Sequence, residues 1–290
     1  MKNFIKKFKY NPYEIADGIV IEIWNLYEEL RYIINKLLGK YYFLKKNNIL
    51  KDKHKNQRIF LLGNAPSLND FDLTKLKNEI VIMVNRSFTH KDYEIIKPEY
   101  HIFVDPKLAN GIWPIEYLDT VLRKNPKVNL ILNAEWFYLK NFEPYRNKKN
   151  VFWVKNKIIS LLFNNFNYDL TTNYSCSGLG VVGHGFPIAA YTKANKVYLI
   201  GVEGDGVIRL MANQDSHFSG KDPDYGKHTS LDWARDLSIM SRGMRMLNKV
   251  GEFYKRNGTE IINLNTKKSV VLDPFSNEDW NNIFKDNNQY

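Results

Sequence analysis

The chain has 290 residues, 44% of them apolar and 14% aromatic, enough for one full-sized core with an appendage. Its single cysteine, Cys176, excludes an internal disulfide framework and a cysteine-built zinc site, and it fits a reducing, cytoplasmic home. Lys and Arg number 42 against 31 Asp and Glu, a formal charge of +11 with much of the excess in the first 58 residues; no RNA-recognition, zinc-finger or helix-turn-helix signature accompanies it, so nucleic acid is not an expected partner.

Residues 13–47 open the chain as an amphipathic helix, with Ile15, Ile19, Ile23, Leu26, Leu30, Ile34 and Leu38 recurring at three- and four-residue steps. Lysines and aromatic side chains accompany the stripe. Such a helix packs on its own domain or on another copy, or lies on an anionic membrane surface. Residues 47–57 are polar and charged and read as a linker. The chain thus divides into a basic helical extension, 1–57, and a catalytic domain, 58–290. No run of about 18 uncharged apolar residues offers a transmembrane helix, and the N-terminus lacks the apolar core of a signal peptide. The expected place is cytoplasmic, at most peripheral on the inner face of the membrane.

From Arg58 onward, short apolar runs alternate with amphipathic stretches. Strands are predicted over 59–62, 80–84, 100–104, 128–132, 151–154, 196–200 and 259–264; helices over 114–123, 178–193 and 231–255. Alternation of this kind implies an α/β fold with a mostly parallel sheet and helices on both faces. In such sheets ligands bind beyond the C-terminal strand ends.

The residues there are the candidates. After the first strand comes Gly63-Asn64-Ala65-Pro66-Ser67-Leu68: Gly63 permits an unusual backbone angle or a close approach, Asn64 offers an amide, and Ser67 is placed to cap the next turn of chain. Asn85 ends the second strand and Asp105 the third, and three polar groups on one edge suggest a shared cleft. Ser175-Cys176-Ser177-Gly178 opens the predicted 178–193 helix, with small residues that leave room for an anion. Within that helix His184 reads as packed rather than catalytic. Glu203 follows the 196–200 strand and begins a long segment, about 203–227, with the features of a lid carrying Lys221, Tyr225 and Lys227. His228 stands where this lid meets the 231–255 helix and is a candidate general base. Asp105, Glu203 and Asp205 read as loop carboxylates rather than Mg²⁺ ligands, and no zinc spacing is present, so no metal is expected.

Taken together, 58–68 resembles the opening of the bacterial α-2,3/2,8-sialyltransferases of glycosyltransferase family 42. Val84-Asn85-Arg86, Phe103-Val104-Asp105-Pro106, Cys176-Ser177-Gly178, Tyr198 to Glu203 and Gly226-Lys227-His228-Thr229 resemble later blocks of that family, in order, over about 58–265. The resemblance implies a Rossmann-like, GT-A-variant fold and an inverting, metal-independent transfer from a CMP-linked acidic sugar to a surface glycan or glycolipid. It implies that Gly63, Asn64, Ser67, Asn85, Asp105, Ser177, Gly178 and Glu203 bind the donor and that His228 deprotonates the acceptor; the family's paired tyrosines, which support the leaving phosphate, are not evident after Glu203, and Tyr225 is the expected substitute. Two positions depart from the family: Tyr174 stands in place of an arginine and Asp105 in place of an asparagine. Asp105 is shared with 6-hydroxymethylpterin pyrophosphokinases and Maf-type proteins, so a Mg²⁺-dependent pyrophosphokinase is the rival reading. A membrane-surface or assembly protein, led by residues 1–57 and binding lipid or a second copy, is the non-enzymatic one.

Overall fold

The computed structural model describes residues 12–160, 162, 166–176, 179–221, 228–265 and 270–284. Among the described residues nine strands form one sheet: β1 (Arg58–Leu62), β2 (Ile80–Val84), β3 (Tyr100–Phe103), β4 (Asn129–Asn133), β5 (Val151–Ile158), β6 (Asn173–Cys176), β7 (Lys196–Ile200), β8 (Glu260–Asn263) and β9 (Ser276–Asn277). Every ladder is parallel, and the order across the sheet is β6-β5-β4-β3-β2-β1-β7-β8-β9. The helices are α1 (Pro12–Leu37), α2 (Tyr93–Ile96), α3 (Pro106–Ala109), α4 (Glu116–Lys124), α5 (Gly185–Tyr191), α6 (Gly206–Met211), α7 (Ser230–Arg256) and α8 (Trp280–Ile283).

The apolar runs are strands because both faces of the sheet are covered. On β1, Phe60 and Leu62 enter one core cluster while Ile59 and Leu61 enter the other. A strand buried on both faces needs apolar residues at every position, which is why these segments show no polar alternation. The order reverses once. From β1 the sheet grows outward to β6, then β7 returns to pair on the opposite side of β1, Leu62 against Ile200. The topological switch point therefore lies between β1 and β7.

Four expectations need correcting. The 259–264 strand is not the last, since β9 follows it. Ser175 and Cys176 end strand β6 (Asn173–Cys176), paired with β5, rather than leading into a helix start, and the α-helix begins at Gly185 after a 3-10 turn over Gly180–His184. Ser175 sits in this strand with a partner: its Oγ accepts the backbone N–H of Asn167 at 3.0 Å.

Residues 47–57 are not a linker. A 3-10 helix over Tyr42–Leu50 buries Leu44, Asn47 and Leu50. Asn47 Nδ2 donates to the carbonyls of Trp153 (2.8 Å) and Leu170 (2.6 Å), and the backbone N–H groups of Asp52, His54 and Asn56 donate to the carbonyls of Tyr191, Thr192 and Lys193. His54 Nε2 meets the Tyr100 hydroxyl at 2.8 Å. The lysines of this segment face outward while its few other side chains do the packing.

Helix α1 is shorter than the predicted 13–47, and it packs through its polar face. Glu28 pairs with the buried Lys155 (2.9 Å), which also meets Glu135 (2.9 Å); Arg31 bridges Glu28 (2.8 Å) and Glu135 (3.1 Å), and the Tyr41 hydroxyl donates to Glu135. Burial would raise the pKa of Glu28 and Glu135, but the contacts with Lys155, and with Arg31 and Tyr41, overcome it and hold both carboxyls below their ordinary range. Further along, Glu29 pairs with Lys157 at 3.1 Å, and Asn25 Nδ2 donates to the Ile158 carbonyl at 3.0 Å. The helix thereby packs on β5, the strand next to the β6 edge of the sheet.

Candidate functional site at the switch point

The turns after β1 and β7 are locked to each other. Gly63 N–H donates to the Ile200 carbonyl (2.8 Å), and Ala65 N–H donates to the Gly201 carbonyl (3.0 Å). Of the two roles open to Gly63, close approach is the one used: a Cβ there would run into the Gly201 carbonyl oxygen and lie 2.9 Å from Val202 Cγ2. The unusual backbone angle belongs to its neighbour Gly201, at φ +65°.

Asn265, which no motif in the sequence singles out, ties these turns to the end of β8. Its Oδ1 accepts from Gly201 N–H (2.8 Å), and its Nδ2 donates to the Val202 carbonyl (2.8 Å). Ser67 belongs to the same knot. It is buried inside a 3-10 turn over Pro66–Asp70 whose N-cap is Ala65, so Ser67 is not the cap expected of it. Its hydroxyl lies 3.4 Å from Asn265 Oδ1, and its backbone N–H donates to Glu203 Oε1 at 3.3 Å. Burial raises the pKa of Glu203, with Asp205 adding to the effect against the Ser67 hydrogen bond.

On the β2 side, Asn64 Nδ2 reaches back to the Val84 carbonyl at 3.4 Å. Asn85 sits in the left-handed region at φ +48°, which asparagine tolerates better than most residues. His101 Nε2–H donates to the Asn85 carbonyl at 2.7 Å, while Nδ1 meets the Tyr93 hydroxyl at 3.1 Å. Complete burial lowers the His101 pKa to about 4, against the raising effect of that carbonyl, so the ring is a neutral prop under Asn85. Among the described residues, Asn64 Oδ1, Asn85 Oδ1 and Ser87 Oγ are buried without a hydrogen-bond partner. Orphaned buried acceptors are costly in a folded chain, and neighbouring ones at strand ends are what a bound ligand's donors would satisfy.

The third strand end differs. Asp105 caps α3, accepting Lys107 N–H at 3.0 Å. The Arg86 guanidinium and the Lys107 ammonium both stand 5.5 Å from the Trp113 ring, so two cations flank the Asn85–Asp105 region. Asp205 is paired with Arg209 at 2.9 Å. Among the described residues no three His, Cys, Asp or Glu side chains are grouped to hold a metal ion.

The lid segment is seated on the first turn. Phe218 N–H donates to the Asn64 carbonyl at 2.7 Å, and Asn69 Nδ2 donates to the Phe218 carbonyl at 2.9 Å. Lys221 is turned to Asn213 at 2.8 Å. Tyr225, Ser177 and Gly178 lie outside the described residues. The strand before Ser177 ends five ladders from β1, roughly 24 Å away at the usual strand spacing. His228 precedes α7, whose N-terminus carries a capping box of Thr229 and Asp232. Its Nε2 lies 3.2 Å from Asp236 Oδ2, and its ring leans on Trp233, centroids 4.7 Å apart. A carboxylate only accepts, so the Nε2 proton points to Asp236. His184 is packed as expected: it meets the Tyr174 hydroxyl, and burial lowers its pKa to about 4. Tyr174 is fully buried in the same contact.

Fold and site together define an α/β protein with a candidate ligand crevice at its switch point. As a sequence, the chain matches no family model and no curated protein. The solved structures it is similar to are sialyltransferases. CstII from Campylobacter jejuni, in complex with cytidine-5'-monophosphate, covers 77% of this chain and 85% of its own at 11% identity and a TM-score of 0.43. The sialyltransferase CST-II with trisaccharide acceptor and CMP covers 76% and 85% at 14% identity and a TM-score of 0.42. The monofunctional α-2,3-sialyltransferase Cst-I of Campylobacter jejuni covers 76% and 79% at 12% identity and a TM-score of 0.39. Identity this low concerns the path of the backbone; what the chain does has to be read from its own residues.

Proposed function

We propose that the chain is a glycosyltransferase that takes an acidic sugar from a CMP donor and passes it to a surface glycan or glycolipid. The observation that carries this reading is the meeting, at the β1–β7 switch point, of the Gly63–Leu68 turn, the unsatisfied Asn64 and Asn85 amide oxygens, and a lid seated on Asn64. Switch-point crevices in parallel sheets are where nucleotides bind. The Asn64 and Asn85 oxygens accept hydrogen bonds from the nucleoside, while Arg86 and Lys107 meet the phosphate charge. Glu203, which accepts the Ser67 backbone N–H, borders the donor site, and Tyr225 supports the departing phosphate.

In the transfer, His228, held by Asp236, takes the proton of the acceptor hydroxyl. The hydroxyl oxygen forms its bond to the anomeric carbon as the bond from that carbon to the CMP phosphate oxygen breaks. The electron pair leaves with CMP, and the configuration inverts.

A thermal-shift panel tests the reading, because a ligand that binds only the native state raises its stability by mass action. CMP and CDP should stabilise the protein without added metal. A response confined to ATP with Mg²⁺ overturns the proposal in favour of a pyrophosphokinase, and a response to none of them in favour of a binding protein without this chemistry.

A further inference from the structure

Helix α1 is inside out. Its described acids all engage the body of the protein: Asp17 with Arg245, Glu22 with Ser160, Glu28 with Lys155 and Glu29 with Lys157. The opposite face carries Ile19, Ile23, Leu26, Leu30, Ile34 and Leu37, each exposed, from 48% at Ile19 to 83% at Leu37. Trp24 and Tyr27, rings 5.6 Å apart, widen the stripe. At 100° per residue the exposed apolar positions cover about 180° of the helix, broader than the two-column seam of a coiled-coil pair. Among the described residues nothing covers this half-cylinder. A helix that spends its polar groups on its own domain and turns its apolar half outward is suited to a non-aqueous surface.

Charge selects which surface. Lys36 and Lys40 stand exposed at the C-terminal end of the stripe. The eleven residues that precede the helix contain Lys2, Lys6, Lys7 and Lys9, with Phe4, Ile5 and Phe8 and no acid. Pairing α1 with α1 of a second copy, parallel or antiparallel, sets basic ends against basic ends with no carboxylate on the face to offset them. An anionic bilayer offers the opposite charge at both ends and hydrocarbon between. No helix among the described residues is long and apolar enough to cross a membrane, so the contact lies in the plane of the interface.

We propose that α1 docks the protein flat on an anionic lipid surface, its Ile19–Leu37 face in the acyl boundary and its flanking lysines among the headgroups. The position has a consequence for access. Asp17 pairs with Arg245 on α7, the helix that carries Asp236 beside His228, so the docked face and the candidate base share one rigid support.

The test is co-sedimentation of the full chain with phosphatidylcholine vesicles, with and without about one third phosphatidylglycerol, at low and high salt. The expected result is binding to the anionic vesicles that weakens with salt, and little binding to the neutral ones. Trp24→Ser with Leu30→Ser, which touches no ion pair, should lower partitioning more than about 10-fold, since each side chain loses its burial in the acyl region. Lys36→Glu with Lys40→Glu should lower it while leaving the apolar face intact, and unchanged far-ultraviolet circular dichroism shows that both variants fold. No binding to anionic vesicles, or binding indifferent to both pairs of substitutions, overturns the proposal. So does a stable dimer in lipid-free solution that Trp24→Ser with Leu30→Ser converts to monomer, which assigns the face to a second copy. The vesicle result does not depend on CMP, so it can fail without touching the donor reading.

Discussion

Replacing Asn265 by alanine should loosen the crevice and the whole fold by a measurable amount. The amide makes two short buried hydrogen bonds, from Gly201 N–H and to the Val202 carbonyl, both 2.8 Å, and longer ones to Val202 N–H and Ser67. Alanine removes all of them and supplies nothing in return. Leaving a buried backbone group without its partner costs about 1–3 kcal/mol, so the two short bonds together set a loss of about 2–6 kcal/mol. That is a large fraction of the stability of an ordinary domain. Urea unfolding of the wild type and Asn265→Ala at neutral pH measures it directly, with an unchanged denaturant slope showing that the same structure is being lost. Because Gly201 holds the Gly63 turn, the variant should also be stabilised less by CMP than the wild type under the same conditions. A loss below about 0.5 kcal/mol would refute the reasoning, since it would place the Gly201 and Val202 backbone groups in water or on other partners.

Gly63→Ala forces a methyl group into the Gly201 carbonyl and should destabilise the protein by about 2–4 kcal/mol, read as a lowered unfolding midpoint; a neutral effect means that the β1 and β7 turns can part freely. Acid should unfold the protein early. His101 and His184 stay neutral down to about pH 4 in the fold, against an ordinary 6.5, so the unfolded chain takes up their protons first. Stability from the two rings is full above pH 6.5 and drains away as pH falls toward 4, on the order of 3 kcal/mol for each. Urea midpoints measured across that window should fall with pH, and His184→Gln should flatten the slope. His228→Ala should lower sugar transfer at least about 100-fold with CMP stabilisation intact, and Asp236→Asn should lower it less, as steady-state rates and thermal shifts together would show.

Much of the sheet is readable because a strand buried on both faces must be apolar throughout: 59–62, 80–84 and 196–200 announce themselves for that reason. Strand β6 does not. Asn-Tyr-Ser-Cys has no apolar run, and its burial depends on partners such as the Asn167 backbone that no local pattern reveals. The 42–57 segment is equally opaque, since lysines dominate its composition while Asn47 and His54 pack by hydrogen bonds to residues about 46 to 123 positions away. In the candidate site, the positional rule that polar residues just past parallel strands line a cleft points to Asn64 and Asn85. The same rule applied to the 259–264 strand leads to Asn265, the residue that was missed. His101 leaves no signal of its own, because its work is to prop a backbone carbonyl from inside a strand.

The switch point also governs when the crevice can come into being. Strand β1 finds one neighbour, β2, within about 20 residues, but its other, β7, lies more than 130 residues further along, and Asn265 arrives later still. Contacts of such long sequence separation form late, after the loop-closure entropy of the intervening chain has been overcome. During synthesis the β1–β6 half can assemble its ladders while the Gly63 turn remains open on the β7 side. A ligand that requires this turn would then bind only the finished chain and act on a late folding step rather than on the first.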